Sequence, residues 1–189
     1  RFRNLLENIN KKNNSIFLNF EDPDEQIYSD LLLLFKKDEY DKIIEKTSEL
    51  LKFFPNSNKI LLLRAMSYQS LSKDEQALKD YRNVLFRDAK NFFALKNTGL
   101  IFFKINKFNE SNSFLLQALE LQKNNLEINF KLGICNYKIG NFDEALKYFL
   151  ASLEFEPYNS NIYCNVGLTY FSKEEYQKAF NNFVKSIKL

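Results

Sequence analysis

Few side chains in this sequence are equipped for covalent or acid–base chemistry. The 189 residues contain no His, which removes the commonest general base, the Ser–His and Cys–His pairs and most zinc catalysis. Cys135 and Cys164 are the two cysteines, too few for a disulfide framework, and they predict a reducing, cytoplasmic setting. Both fall in apolar stretches, where a half-buried free thiol is the ordinary role and a redox pair needs the two stretches stacked. Asp143-Glu144 has the composition of a carboxylate dyad, but it stands at the start of a helical pattern, where negative charge complements the helix dipole. Four glycines are too few, and too widely spaced, for a phosphate-cradling loop. These residues predict a protein that is not an enzyme and uses no cofactor and no metal.

The rest of the composition says what could position such residues. Hydrophobic residues are 45% and charged residues 27%, ordinary for a soluble globular chain. Gly and Pro number only 4 and 3, which leaves little turn chemistry for a sandwich or barrel of many strands. Apolar runs such as Leu31 to Phe35 are far short of a membrane span. The net charge of +3 is too mild to predict nucleic acid as a partner. The chain opens on Arg1 rather than Met, as a segment of a longer protein would.

One interval organises the sequence. Gly99, Gly133 and Gly167 are each 34 residues apart, as are Ala145 and Ala179, and Phe149 and Phe183. Pro55 and Pro157 are three such intervals apart, and Tyr40, Phe108, Phe142 and Tyr176 keep the same register. The frame divides the chain into 24–57, 58–91, 92–125, 126–159 and 160–189. Within a unit the apolar spacing is helical, and a break such as Gly140-Asn141 separates two helices. Turns are expected near Lys37-Asp38, Ser72-Lys73, Asn106-Lys107, Gly140-Asn141 and Lys173-Glu174. A glycine inside a helix costs about 1 kcal/mol relative to Ala, so its recurrence predicts a close approach by the second helix, with Ala145 and Ala179 as small counterparts and Phe149 and Phe183 filling the next turn.

The pattern resembles the tetratricopeptide repeat: Leu-Gly, an aromatic, Ala with Phe four residues on, and a closing Pro. The fourth unit supplies Leu132-Gly133, Phe142, Ala145, Phe149 and Pro157; the fifth supplies Val166-Gly167, Tyr170, Tyr176, Ala179 and Phe183. The third keeps Gly99, Phe102, Phe108 and Ala118 with Ser111 in place of Ala, and the second keeps Leu61, Ala65, Tyr68, Ala77 and Tyr81. The first fits least, as a terminal unit does, with Leu31 for Gly and Ile43 for Ala. The Leu-Gly and Ala-x-x-x-Phe pairs favour this family over other helical-pair repeats of similar period. The resemblance implies an all-α, right-handed α-solenoid of five helix-turn-helix repeats over residues 24–189.

Residues 1–23 lie outside the frame as a polar, Asn-rich arm, either a linker or a segment packing Phe17 and Phe20 on the array. At its boundary Asp22 is expected to cap the first helix and Pro23 to occupy its first position. At the other end Phe180, Phe183 and Ile187 would form an exposed apolar face.

The resemblance further implies that the first helices line a concave groove, which here includes six lysines and two glutamates. The candidate peptide-binding residues are Lys96, Asn97, Lys104, Phe130, Lys131, Tyr137, Lys138, Asn161 and Asn165. Asn97 and Asn165 share one place in their units, with Lys131 between, and an amide there can bond a ligand backbone as donor or acceptor. The expected partner is another protein, through an acidic or mixed acidic/apolar segment, without nucleic acid or membrane insertion. The alternative is an architectural subunit of a larger complex that uses its ends and convex face. The clamp by which related chaperone adaptors hold a terminal carboxylate is not matched: its first Lys and Asn positions hold Tyr28 and Leu32, Leu62 and Met66, or Lys96 and Leu100, and Asn161 and Asn165 replace its later Lys and Arg.

Overall fold

A computed structural model describes residues 22–189. The readings made for the N-terminal arm, including Phe17 and Phe20, lie outside the described residues. Ten helices and no strand occur among those described. The chain falls into two compact units, Arg1–Arg87 and Asp88–Leu189.

The first unit contains α1 (Glu25–Lys36), α2 (Tyr40–Leu50), α3 (Asn58–Ser70) and α4 (Asp74–Arg87). Leu31, Ile43, Leu50, Phe54, Ile60 and Leu63 form its core. Asp24, rather than Asp22, caps α1: its carboxylate accepts from the Gln26 N–H at 2.8 Å. Pro23 is buried just ahead of that cap. Asp22 instead accepts from the Ser57 hydroxyl at 2.6 Å, so a residue two places outside the helix ties its entry to the next repeat. A second tie is a nearly buried ion pair, where Arg64 meets Asp80 through Nε at 2.7 Å and Nη2 at 2.8 Å and donates to Ser48 at 3.1 Å. This two-pronged geometry holds α2, α3 and α4 at one point.

The second unit contains α5 (Phe92–Lys104), α6 (Phe108–Leu121), α7 (Leu126–Ile139), α8 (Phe142–Phe155), α9 (Ser160–Ser172) and α10 (Tyr176–Lys188). Each helix packs on the next, and the first helices of successive repeats also touch, α5 on α7 and α7 on α9. Asn91, Asn125 and Asn159 cap α5, α7 and α9, each side-chain oxygen accepting an N–H three residues on. Such a cap contributes about 1 kcal/mol over Ala.

Within each repeat the turn has one construction. Asp38, Ser72, Asn106, Gly140 and Glu174, each 34 residues apart, take positive φ between 56° and 92°. The residue after each donates its N–H back five residues, as Glu175 does to Tyr170 at 2.9 Å and Asn141 to Asn136 at 2.8 Å. This is a Schellman closure, in which the left-handed residue satisfies the last carbonyls of the first helix. Four of the five positions carry a side chain, at a cost of roughly 1–2 kcal/mol for an ordinary L-residue.

The glycine inside the first helix makes room for a large apolar side chain of the second. A Cβ on Gly133 would lie 2.5 Å from Phe149 Cε1, so the Phe149 ring fills the space that a side chain there would need. The same sixteen-residue offset joins Gly167 to Phe183, and Gly99 to Leu115. In the first unit it relates Ala65 to the fully buried Tyr81.

Two stability outcomes follow from these contacts. Gly133→Leu is expected to lower stability by about 1–3 kcal/mol or more through overpacking, and a thermal melt matching the parent would refute the ring-on-glycine account. Glu174→Gly is expected to raise stability by roughly 0.5–1 kcal/mol, because only the backbone strain is removed; a lower melting temperature would show that Glu174 is held there by something other than the turn.

Candidate functional site

The face shared by α5, α7 and α9 carries residues in rows spaced by the repeat. Leu100, Ile134 and Leu168 form an aliphatic row, half-buried to exposed. Phe103, Tyr137 and Phe171 form an aromatic row one turn further on, ending with Phe171 at 56% exposure. Each ring of that row leans on an aromatic at the start of its second helix: Phe103 on Phe108 at 5.8 Å, Tyr137 on Phe142 at 5.8 Å, Phe171 on Tyr176 at 5.5 Å. Phe35 and Tyr40 repeat the pair in the first unit at 5.2 Å. The rings bridge the left-handed turn, so in these four helix pairs the closure also fixes an aromatic surface; α3 and α4 have Gln69 and Asp74 there instead.

Each candidate residue has a definite place on this face. Lys131 lies half-buried with Nζ 4.3 Å from the Phe103 centroid, a cation–π contact between successive repeats. Lys96 pairs with Glu127 at 2.5 Å, so its charge is largely met within the molecule. Lys104 and Lys138 are exposed in the last turns of α5 and α7. Tyr137 and Phe130 are half-buried, packed on the core around Phe149; the Tyr137 hydroxyl is 3.2 Å from Ser172 Oγ. Asn165 donates Nδ2 to the Asn161 carbonyl at 2.7 Å, one turn back on α9, which leaves its side-chain oxygen to accept. Asn97 is half-buried on α5 at the equivalent place, with Lys131 between the two.

Phe130 and Asn161 meet at a recess that the sequence did not announce. A cavity of about 230 Å³ opens between the N-terminal ends of α7 and α9, lined by Leu126, Glu127, Phe130, Glu156, Asn159, Asn161 and Ile162. It is distinct from the lysines at the other ends of the helices. A void depends on what neighbouring side chains leave unfilled, and no spacing in the sequence encodes that. Phe103, half-buried, and Phe171, exposed, keep a 34-residue register with Tyr137 and are legible in the sequence as lining of the same face.

The adjacent carboxylates Asp143 and Glu144 are each held in an ion pair. Asp143 and Glu144 sit in the first turn of α8; Asp143 pairs with Lys173, and Glu144 with Lys147 at 3.0 Å. Neither provides a side-chain cap, since the N-cap is Asn141. Both cysteines are free thiols. Among the described residues no cluster of His, Cys, Asp or Glu has the form of a metal site, and no helix is long and apolar enough to cross a membrane.

Comparison with known proteins adds independent findings. The family described as Tetratricopeptide repeat matches residues 126–159 and again 160–189. No curated protein sequence matches the chain. Among solved structures, YrrB, described as a TPR protein with an unusual peptide-binding site, superposes with a TM-score of 0.81 at 24% identity, covering 99% of this chain and 91% of its own. MamA from AMB-1 gives a TM-score of 0.80 at 18% identity, covering 87% and 91%. A second crystal structure of MamA gives 0.78 at 22% identity, covering 86% and 90%. At these identities the likeness is one of fold, an α-helical solenoid of repeats.

The two thiols differ enough to be told apart. Cys135 is fully buried and donates toward Ser111 Oγ at 3.4 Å, whose hydroxyl donates in turn to the Gly99 carbonyl at 2.9 Å. Burial pushes the Cys135 thiol above its ordinary range, and Ser111 and the Lys131 charge offset this only in part. Cys164 is part-exposed. Under native conditions N-ethylmaleimide is expected to label Cys164 at least tenfold faster than Cys135. Equal rates by mass spectrometry would contradict the burial of Cys135.

Proposed function

Because the chain is a tetratricopeptide repeat protein, we propose that it is a non-catalytic protein-interaction module whose α5–α7–α9 face receives a peptide segment of its partner. The observation that carries this reading is the pair of rows, Leu100–Ile134–Leu168 and Phe103–Tyr137–Phe171, flanked by the exposed Lys104 and Lys138. Apolar rows offer anchors for alternate side chains, and lysines beside them favour carboxylates. The expected ligand is an acidic or mixed acidic/apolar segment. Asn97 and Asn165 would hold its backbone, Asn165 through its carbonyl oxygen. The reading takes residues 24–189 as five repeats and the polar arm as a separate segment. It assigns a cytoplasmic setting, which two unpaired thiols support.

One observation favours a second reading, an architectural subunit docked through its end. Phe180 is 61% exposed and Ile187 is 84% exposed on α10. One repeat earlier, Leu146 is 7% exposed, because Ile162 and Val166 of α9 pack against that face.

Two variants separate the readings when partners retained by the immobilised protein are quantified by mass spectrometry. Lys131→Glu with Lys138→Glu is expected to weaken capture roughly tenfold at low ionic strength and to flatten its salt dependence. Phe180→Asp with Ile187→Asp is expected to leave it unchanged. The reverse pattern would establish the end face and remove the peptide face.

A further inference from the structure

We propose that the cavity between α7 and α9 is a subsite for one basic residue, Arg or Lys, of the bound segment. This inference rests on the peptide-binding reading and assigns a specificity that the lysines alone would not suggest. The floor of the cavity is apolar, made by Leu126, Phe130 and Ile162. Its charged lining is two carboxylates, Glu127 and Glu156, with the amides of Asn159 and Asn161 and no cation. Such a lining fits a side chain with a long aliphatic stem and a positive head. A carboxylate ligand would meet two like charges there, and a purely aliphatic one would leave them unmatched.

The floor is held in place from below. Phe130 packs its ring against Phe149 at 5.9 Å, and Phe149 is the ring seated over Gly133. Glu127 is steadied by Lys96 at 2.5 Å while remaining half-exposed, and Glu156 accepts from the Asn159 amide. Each carboxylate keeps acceptor capacity beyond these bonds, since an ionised carboxylate offers about four lone-pair sites.

The face is therefore polarised along the helices. Glu127 and Lys138 stand at opposite ends of α7, eleven residues and about 16 Å apart.

The subsite is read with single-residue probes added to the full 15N-labelled chain: the N-acetyl, N-methylamide derivatives of arginine, of its neutral isostere citrulline, and of glutamate. The arginine derivative is expected to shift the Leu126, Phe130 and Ile162 backbone resonances saturably. The citrulline derivative should bind at least fivefold more weakly and the glutamate derivative not at all. Glu127→Gln with Glu156→Gln should abolish the preference for arginine over citrulline while circular dichroism is unchanged. Equal binding of arginine and citrulline, or no saturable shift at these residues, overturns the proposal. The probe is read apart from partner capture: absent shifts overturn the subsite whatever the lysine variants do, and unaltered capture by those variants overturns the peptide face whatever the probe does.

Discussion

The placement of one ring determines how this fold presents a surface. Phe149 lies where the Cβ of residue 133 would be, 2.5 Å from that ideal position, so the first helix must surrender a side chain for the second to dock. The helical glycine costs about 1 kcal/mol in propensity, while burying the ring returns roughly 1.5–3 kcal/mol. From that contact the rest of the repeat follows outward. Phe149 carries Phe130 at 5.9 Å on the face above it, and Leu146 and Phe149 join Ile162 and Val166 in a core that spans into the next repeat. The inner contact and the face that carries Phe130 are therefore two sides of one packed layer.

Sixteen residues separate the small and large members of that contact, and the sequence varies the pair while keeping its combined volume usable. Gly133 and Gly167 face Phe; Gly99 faces the smaller Leu115. At Ser111, where the fourth and fifth repeats have Ala, the hydroxyl is absorbed by donating to the Gly99 carbonyl at 2.9 Å and accepting from Cys135 at 3.4 Å. A buried hydroxyl would otherwise cost a few kcal/mol. This Ser in place of Ala is thus part of a satisfied polar chain linking two repeats, around a Cys135 thiol that is fully buried.

Much of this was legible in the sequence because scarce residues mark the period. Four glycines and three prolines among 189 residues leave little doubt about register, and the expected turn positions coincide with the five left-handed residues. The helix pairs were readable for the same reason. Asp22 differs from its expected role because two acceptors flank Pro23, and only the backbone path decides that Asp24 accepts from the Gln26 N–H while Asp22 accepts from the Ser57 hydroxyl. The caps Asn91, Asn125 and Asn159 were visible in principle, each 34 residues from the next, but 24 asparagines dilute that signal. The cavity beside Phe130 was not visible at all: it is set by how far apart α7 and α9 stand, a result of packing rather than of composition.

The repeats also supply an internal comparison that separates scaffold positions from face positions. At the scaffold positions 99, 133 and 167 the residue is always Gly, and at 115, 149 and 183 it is always a large apolar side chain. At the face positions the same three repeats differ freely: Phe93, Glu127 and Asn161; Lys96, Phe130 and Cys164; Asn97, Lys131 and Asn165. A position whose side chain only kept the face soluble would tolerate any polar residue, yet the second of these sets includes a half-buried ring and a thiol. The aromatic row at 103, 137 and 171 is intermediate, constrained in type by its lean on the second helix and free at its outer edge. Chemistry that varies from repeat to repeat on an invariant frame would let such a face distinguish one end of a ligand from the other. The carboxylates at the start of α7 and the lysine at its end give that variation a direction, and a segment bound there would have to match it in register as well as in charge.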